Sequence, residues 1–268
     1  MNNISVILPS YNSELFISTT INSLINQSVN PNEIIIVDDG STDNTCKVVS
    51  AIIKKNKDLN FKLVKGNHKG PGAARNIGIK LAKSKWIAFL DSDDLWSIDK
   101  IKNVTKCIKE NSDYTFFCHN EKLVSKNKPV IKLDYSKKYN QKNNLPYQLY
   151  KNNLFSTSAV ICLRNDLIKV GGFDEYLSSA QDYDLWLKMS YIIKPFFIKQ
   201  FLGTYNVRDG NISSTNHLKR LINISKVMIR HRNKGKFLFF IFLIKIPIYY
   251  IFIPILVSIK FFFLSYKK

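Results

Sequence analysis

Four short apolar runs, separated by segments with helical spacing, constrain this chain more than any other feature of its sequence. The runs are rich in β-branched or aromatic residues, and they cover residues 4–8, 33–41, 61–64 and 86–90. Apolar residues recur at helical spacing in residues 14–27, from Asp43 onward and in residues 70–82. Strands that alternate with helices and are buried on both faces are typical of a parallel sheet covered by helices. The sequence therefore predicts an α/β fold.

Acidic residues follow two of these runs at the point where each run ends. Asp38 and Asp39 close the second run, and Asp91, Asp93 and Asp94 close the fourth. Because open parallel sheets bind ligands at the carboxyl ends of their strands, we expect both groups in one crevice. Crowded carboxylates repel one another, and Mg²⁺ or Mn²⁺ together with substrate phosphate oxygens would relieve that repulsion. The alternative is simple capping of the helix that follows.

Two loops of the same half carry groups suited to a nucleotide. Asp38 and Asp39 could accept hydrogen bonds from a base and a ribose, although an ordinary turn before a helix explains the same residues. The segment "KGPGAARNIG" at residues 69–78 combines glycine N–H groups before a helix with the fixed charge of Arg75. Both features suit a diphosphate, and a plain loop-to-helix junction is the alternative.

The second half of the chain has a looser pattern. The predicted elements are a surface insertion or flexible loop over residues 126–150, strands over 156–163, 195–199 and 202–207, a helix over 181–189 and a basic helix over 217–236. Asp182 and Asp184 begin the helix at 181–189. Both acids suit the first turn of a helix as capping groups, and the alternative is that one is a catalytic carboxylate.

The charge balance of the chain indicates an anionic partner. The 268 residues include 40 Lys and Arg against 20 Asp and Glu. Nucleic acid, a phosphorylated small molecule and an acidic lipid surface are the candidates. No motif interleaves basic and aromatic residues, which argues against nucleic acid. The four cysteines are scattered, without metal-ligand spacing, so we expect free thiols rather than a metal site or disulfides.

Six ordered motifs resemble those of the family 2 glycosyltransferases, which are inverting enzymes of the GT-A fold. The motifs are "VILPSYN" (6–12), "IIIVDDGSTD" (34–43), "GPGAARNIGI" (70–79), "AFLDSDD" (88–94), "GGFDE" (171–175) and "QDYDLWLK" (181–188). The resemblance covers residues 3–215. It implies a GT-A nucleotide-diphospho-sugar transferase fold, Rossmann-like with a mainly parallel central sheet.

The resemblance implies donor contacts at four positions. Pro9, Tyr11 and Asp39 match positions that contact the nucleotide, with Asp39 on the uracil side. Arg75 matches a contact to the diphosphate or to the sugar. These roles are expectations from the family pattern.

The same resemblance implies a metal and a catalytic acid. Asp91 and Asp93 match the metal-binding DxD motif, with Asp93 as the direct ligand of Mn²⁺ or Mg²⁺. Asp94 matches a position that faces the sugar, and Asp182 matches the acidic catalytic position.

Two departures from the family pattern stand near these positions. Gln181 replaces the glutamate that the family usually has before the catalytic aspartate, so the site has one acid fewer. In the segment 205–213 the family often has Arg and His, where this chain has Asn206 and Arg208. Arg208 as a substitute phosphate contact is a hypothesis.

Residues 237–259 form an apolar segment near the end of the chain. Of its 23 residues, 17 are Ile, Leu, Phe or Val, and basic residues flank both ends. A helix of this length would span a hydrocarbon core of about 30 Å, but Pro247 and Pro254 favour a bent segment in one leaflet. A buried core helix is the third alternative. We predict a catalytic domain over 1–216 and a basic helix with a membrane-associating tail over 217–268.

The function expected from the resemblance is an inverting hexosyl transfer. Glucose or galactose would move from a UDP-sugar to a hydroxyl of a lipid-linked saccharide, such as GlcNAc-diphospho-undecaprenol, in lipopolysaccharide O-antigen or capsule biosynthesis. The setting would be the cytoplasmic face of a bacterial inner membrane, and the N-terminal residues have no signal-peptide pattern. The alternatives are a polyprenyl-phosphate glycosyltransferase and a basic nucleic-acid-binding protein. "GGFDE" disfavours the first, since that motif accompanies sugar acceptors, and the acidic crevice disfavours the second.

Overall fold

A mixed β-sheet with helices on both faces organises the described part of the chain. The structure is a computed structural model and describes residues 3–208, 217–236 and 239. The strands are β1 Ile4–Ser10, β2 Glu33–Asp38, β3 Phe61–Lys65, β4 Trp86–Phe89, β5 Leu95–Trp96, β6 Phe116–Ser125, β7 Ile131–Leu133, β8 Val160–Leu163 and β9 Pro195–Val207. The α-helices are α1 Ile17–Ile25, α2 Thr45–Lys55, α3 Pro71–Leu81, α4 Lys100–Glu110, α5 Leu145–Lys151, α6 Arg164–Lys169, α7 Gln181–Met189 and α8 His217–Arg230.

The first four long strands confirm the predicted alternation of strands and helices. They lie in the order β3-β2-β1-β4 and are parallel, with Ile7 opposite both Ile35 and Phe89. Helices α1, α2 and α3 connect them in turn. Because the four strands run in one direction, their carboxyl ends lie at one edge of the sheet.

The other half of the sheet is mixed, so the prediction of a mainly parallel sheet holds only in part. The order continues from β4 through β8, β6 and β9 to β5, and β7 pairs with β6. Strand β8 is antiparallel to both β4 and β6, whereas β6 and β9 are parallel. A strand that is buried on both faces has the same apolar composition in either direction. The sequence pattern therefore could not give the direction of these strands.

Alternate residues of the central strands enter two hydrophobic clusters, one on each face of the sheet. In β1, Ile7 belongs to the cluster that contains Trp186 of α7, and Leu8 belongs to the cluster that contains Ile21 of α1. Helix α3 lies close to β1 at Gly78, where a Cβ atom would overlap the side chain of Ile7. This double burial explains the mainly apolar composition of β1, β2 and β4.

Residues 126–150, which we predicted to be a surface insertion or flexible loop, contain regular structure. They include β7, a 3-10 turn at Tyr135–Lys138 and most of α5. The hydroxyl of Tyr135 donates to the buried Glu121 at 2.7 Å, and Tyr150 is only 1% exposed. The prediction was wrong for residues 131–150, because a few apolar residues of this Lys- and Asn-rich segment reach the core.

The remaining predicted elements are present, some of them with shifted bounds. The helix predicted over 181–189 is α7, and the strands predicted at 195–199 and 202–207 are one strand, β9. The pairing of β9 with β6 shifts register near its middle, as at a β-bulge, and this irregularity explains the apparent break. The strand predicted over 156–163 begins with a 3-10 turn at Thr157–Ala159 and continues as β8.

Helix α8 packs against the sheet and its helices. Val227 is fully buried, and the hydroxyl of Tyr150 donates to the carbonyl of Met228 at 3.0 Å. No helix among the described residues has the length and apolar character needed to cross a membrane. The predicted membrane-associating segment at 237–259 lies outside the described residues, apart from residue 239. The domain boundary at 216/217 stays a prediction.

Candidate active site

The carboxyl ends of β1, β2 and β4 border a cavity of about 790 Å³. All predicted site residues except Asp94 line it, although they come from distant parts of the chain. These residues are Pro9, Tyr11, Asp39, Arg75, Asp91, Asp93 and Asp182. Asp39 after β2 and Asp91 and Asp93 after β4 therefore share one cavity, as expected at the carboxyl ends of parallel strands.

Asp91 and Asp93 each form an ion pair with an arginine at this cavity. Arg75 Nη2 lies 2.5 Å from Asp91 Oδ1, and Arg208 Nε lies 3.0 Å from Asp93 Oδ2. Burial and the charge of Asp91 raise the pKa of Asp93, and the Arg208 guanidinium opposes that shift. The two arginines therefore balance part of the charge of two crowded carboxylates.

The donor set at this pair fits a divalent cation that is held partly by its substrate. The carboxylate oxygens of Asp91 and Asp93 are hard ligands of the type that Mg²⁺ and Mn²⁺ prefer. Within the described ranges, no group of three or more His, Cys, Asp or Glu side chains could hold a metal ion. A cation at Asp91 and Asp93 would therefore need phosphate oxygens and water to complete its coordination.

Asp94 lies behind the cavity wall rather than in it. Its carboxylate accepts hydrogen bonds from the Ser158 hydroxyl at 2.6 Å and from the Asn206 backbone N–H at 3.1 Å. Burial and the charge of Glu121 raise its pKa well above the ordinary range. The Ser158 hydroxyl also accepts from the backbone N–H of Asp91 at 3.1 Å, so Asp94 helps to hold the DxD loop. A sugar contact by Asp94 stays a prediction.

Asp39 joins the end of β2 to the glycine-rich loop before α3. Its carboxylate accepts from the backbone N–H groups of Lys69 at 3.0 Å and Gly70 at 2.7 Å. Next to this loop, the rings of Tyr11 and His68 pack with their centroids 4.4 Å apart, and Tyr11 is 43% exposed. The arrangement offers a flat aromatic surface beside an anchored carboxylate, which suits a nucleoside base.

Asp38 is engaged within its own turn. It accepts from the backbone N–H of Ser41 at 3.0 Å and from the Ser41 hydroxyl at 2.5 Å. The sequence left two roles open for Asp38, a turn residue or a nucleotide contact. These hydrogen bonds are those of a turn residue.

Asp182 lies half-buried in the first turn of α7. Its carboxylate accepts a hydrogen bond from Asn153 Nδ2 at 2.8 Å. Burial raises its pKa, and the hydrogen bond from Asn153 and the charge of Arg75 oppose the shift. A carboxylate with a raised pKa is a better proton acceptor than an ordinary one. The neighbouring Gln181 also lines the cavity and donates to the carbonyl of Leu177.

The glycosyl transferase family 2 model matches residues 5–177, a range that includes the cavity-lining residues from Pro9 to Thr157. The chain belongs to glycosyl transferase family 2. The GT-A-like fold expected from the motifs is thereby confirmed, with the mixed sheet described above.

Two relatives from bacteria align along most of the chain. An uncharacterized glycosyltransferase of Haemophilus influenzae is 31% identical over 243 residues, which are 87% of this chain and 90% of the relative. The second is UDP-Glc:alpha-D-GlcNAc-diphosphoundecaprenol beta-1,3-glucosyltransferase WfaP of Escherichia coli. It is 31% identical over 228 residues, which are 84% of this chain and 85% of WfaP.

A solved structure supports the fold. The chain is similar to S. aureus TarS 1-349 in complex with UDP-GlcNAc, with a TM-score of 0.71 and 26% identity. The match covers 87% of this chain and 66% of the TarS chain, which is just under two thirds.

Sequence reasoning missed several residues that line the cavity. His68 directly precedes the Lys-Gly-Pro-Gly segment, and its place beside a predicted nucleotide loop was an available signal. Asn153 follows a segment that we expected to be an insertion. Arg220, Ile224 and Met228 of α8 also line the cavity, and no motif marks them. Only the packing of α8 brings them to the site.

Proposed function

We propose that this family 2 glycosyltransferase transfers a hexose, glucose or galactose, from a UDP-sugar to a hydroxyl of a lipid-linked saccharide with inversion at the anomeric carbon. A GlcNAc-diphospho-undecaprenol acceptor and a role in O-antigen or capsule biosynthesis complete the proposal. WfaP, which is named for a UDP-Glc donor and a GlcNAc-diphosphoundecaprenol acceptor, supports it at 31% identity. TarS, solved with UDP-GlcNAc, supports the UDP-linked donor.

The observation that carries the proposal is the shared cavity of Asp182 with Asp91 and Asp93. An inverting transfer needs two kinds of group on opposite sides of one sugar: a base for the acceptor and positive charge for the leaving diphosphate. Asp182 is the candidate base. Arg75 and Arg208 line the same cavity and supply the positive charge.

The chain's own residues account for the bond changes. Asp182 takes the proton of the acceptor hydroxyl while that oxygen bonds to the anomeric carbon. The bond from the anomeric carbon to the diphosphate oxygen breaks, and UDP leaves with the electron pair. Because attack and departure occur on opposite faces of the sugar, the configuration inverts. Arg75 and Arg208 stabilise the negative charge on the departing diphosphate.

Asp91 and Asp93 would hold Mn²⁺ or Mg²⁺, with Asp93 as the direct ligand, and the bound cation would supply further neutralisation of the diphosphate. Tyr11 and His68 would stack on the base, with Pro9 and Asp39 beside it. A lipid-linked acceptor places the reaction at the cytoplasmic face of a bacterial inner membrane, where the net charge of +20 favours an anionic surface.

The variant Asp182→Asn tests the proposal because it removes the base and keeps the size of the side chain. We expect a loss of kcat of about 100-fold or more, with UDP binding retained. Transfer is measured with UDP-glucose and UDP-galactose, with Mn²⁺ or Mg²⁺, on a synthetic GlcNAc-diphospholipid. NMR of the product gives the anomeric configuration.

Asp113→Asn is the matched control, since Asp113 is exposed and does not line the cavity. Normal turnover by Asp182→Asn would place the base elsewhere. Transfer to polyprenyl phosphate alone, with none to the saccharide diphospholipid, would replace the proposed acceptor with the lipid phosphate itself.

A further inference from the structure

A second wall of the cavity comes partly from residues outside the family match. Helix α8 contributes Arg220, Ile224 and Met228, and the end of α5 contributes Tyr150 and Lys151. The family match ends at residue 177, so the motifs give no role to the α8 part of this wall. We call these five residues the α8 wall.

Hydrogen bonds connect the α8 wall to α7, the helix that carries the candidate base. Asn153, just after α5, donates to Asp182, and the Tyr183 hydroxyl donates to the carbonyl of Tyr150 at 2.8 Å. Tyr150 in turn donates to the carbonyl of Met228 at 3.0 Å. This series of hydrogen bonds runs from α7 through α5 to α8. The wall is therefore on the base side of the cavity, which is the side that an acceptor hydroxyl must approach.

Buried charges fix α8 in this position. Arg230 bridges Asp184 of α7 at 2.8 Å and Asp174 of the "GGFDE" turn at 2.7 Å. His231 Nε2 lies 3.0 Å from Asp184 Oδ1, and Asp184 is fully buried. Contacts within the protein thus hold α8 at the cavity.

The chemistry of the wall is amphipathic and cationic. Lys151 and Arg220 are exposed and positive, whereas Ile224 and Met228 are half-buried and apolar. A ligand that joins an anionic group to an apolar chain therefore matches the α8 wall.

We infer that the α8 wall binds the diphosphate and the first lipid carbons of the acceptor. This inference rests on the proposed function. Lys151 and Arg220 would contact the acceptor diphosphate, and Ile224 and Met228 would contact the first carbons of the lipid. The acceptor sugar would then lie toward Asp182, with its hydroxyl at the base.

The test compares two acceptors that differ only in the diphosphate: undecyl-diphospho-GlcNAc and the neutral undecyl glycoside of GlcNAc. For the wild-type protein we expect kcat/KM to be about tenfold or more higher with the diphosphate. In Arg220→Ala and Lys151→Ala, the KM for the diphosphate acceptor should rise about tenfold each. The KM for the UDP-sugar should stay unchanged, which separates the acceptor diphosphate from that of the donor.

Lys226→Ala is the matched control, because Lys226 is an exposed lysine of α8 that does not line the cavity. Ile224→Ala should reduce the gain in kcat/KM that a longer alkyl chain gives. Equal activity of wild-type protein on both acceptors, with no change in either charge variant, would overturn the inference and leave the proposed function standing. Failure of wild-type protein to use any saccharide lipid acceptor would overturn both.

Discussion

Two buried charged clusters support the two sides of the cavity, and their carboxylates differ in the direction of their pKa shifts. The DxD-side cluster consists of Asp94, Lys100 and Glu121, all at most 2% exposed. The α8 clasp consists of Asp184 and Lys188 of α7, Arg230 of α8, and His231 directly after it. Both clusters bury carboxylates close to cations, yet burial dominates the pKa values in the first and pairing dominates in the second.

In the DxD-side cluster, the charges are buried without close mutual pairing. Lys100 Nζ donates to the carbonyl of Ser158 at 3.0 Å and lies 3.2 Å from the centroid of the Trp96 ring. Burial lowers the pKa of Lys100 well below its ordinary value, although Glu121 and Asp94 oppose the shift. Burial raises the pKa of both acids. Each group is therefore biased toward its neutral form.

In the α8 clasp, several donors meet one carboxylate. Arg230, His231 and Lys188 contact Asp184 at 2.8, 3.0 and 2.9 Å. Burial alone would raise the pKa of Asp184, but the hydrogen bonds from His231 and Lys188 and the charge of Arg230 lower it to about 2. Charged donors within hydrogen-bond distance thus keep this buried carboxylate ionised.

The largest effect should come from Asp184→Asn, which removes the charge at the centre of the clasp. We expect a loss of about 3 kcal/mol in the free energy of unfolding, because Arg230 and Lys188 lose their buried anion. Urea denaturation at pH 7 measures it. The control is Glu110→Gln, which removes an ion pair with Lys106 that is exposed on both sides and 3.8 Å long, and it should cost less than about 1 kcal/mol. Equal losses in the two variants would mean that the clasp is no stronger than a surface ion pair.

Protonation of Asp184 in acid should abolish the clasp, with a smaller loss of unfolding free energy than Asp184→Asn causes. Because the folded pKa of Asp184 is about 2 and its ordinary value is 3.8, its stabilisation is full above about pH 4 and lost as the pH falls toward 2. The shift corresponds to about 2 kcal/mol. The difference in unfolding free energy between wild-type protein and Asp184→Asn, measured from pH 5 downward, should shrink by this amount. A difference that is independent of pH would contradict the pKa.

Lys100→Met should cost about 1–2 kcal/mol, less than the clasp variant, because Met fills the volume and the acids can take up a proton. Loss of the cation raises the pKa of Glu121 further. A carboxyl with a raised folded pKa loses stability as the pH rises, so the cost should be larger at pH 8 than at pH 5.5. Urea denaturation at both pH values checks this. A loss of unfolding free energy that is larger at pH 5.5 than at pH 8 would contradict the conclusion that burial dominates the pKa values in the DxD-side cluster.

The smallest effect should come from Lys188→Met. Lys188 is 23% exposed, and Arg230 and His231 remain on Asp184 after its removal. We expect a loss of about 1 kcal/mol in the free energy of unfolding. Measured beside Lys226→Ala, which should change stability by less than about 0.5 kcal/mol, the variant shows how evenly the partners share the clasp. A loss equal to that of Asp184→Asn would make Lys188 the sole essential partner.

The sequence predicted the carboxyl-end acids of the sheet better than the α8 clasp. The strands β1 to β4 follow from continuous apolar runs, and the acids after β2 and β4 follow from where those runs end. Asp184 had an adequate local explanation as a capping residue, which left no reason to seek a distant partner. Arg230 and His231 lie 46 and 47 residues further along the chain, in the segment that we predicted only as a basic helix. Lys100 follows the DxD loop, but its complete burial has no sequence signal.

The sequence by itself determined which side chains follow the ends of β1, β2 and β4, because an apolar run and the point where it ends are local properties. Tertiary structure alone decided that Asp94 supports the loop from behind and that α8 forms a wall of the cavity. It also decided the ionisation of the buried acids. The physical reason is that desolvation and pairing depend on neighbours brought together from distant parts of the chain, and no local pattern records those neighbours.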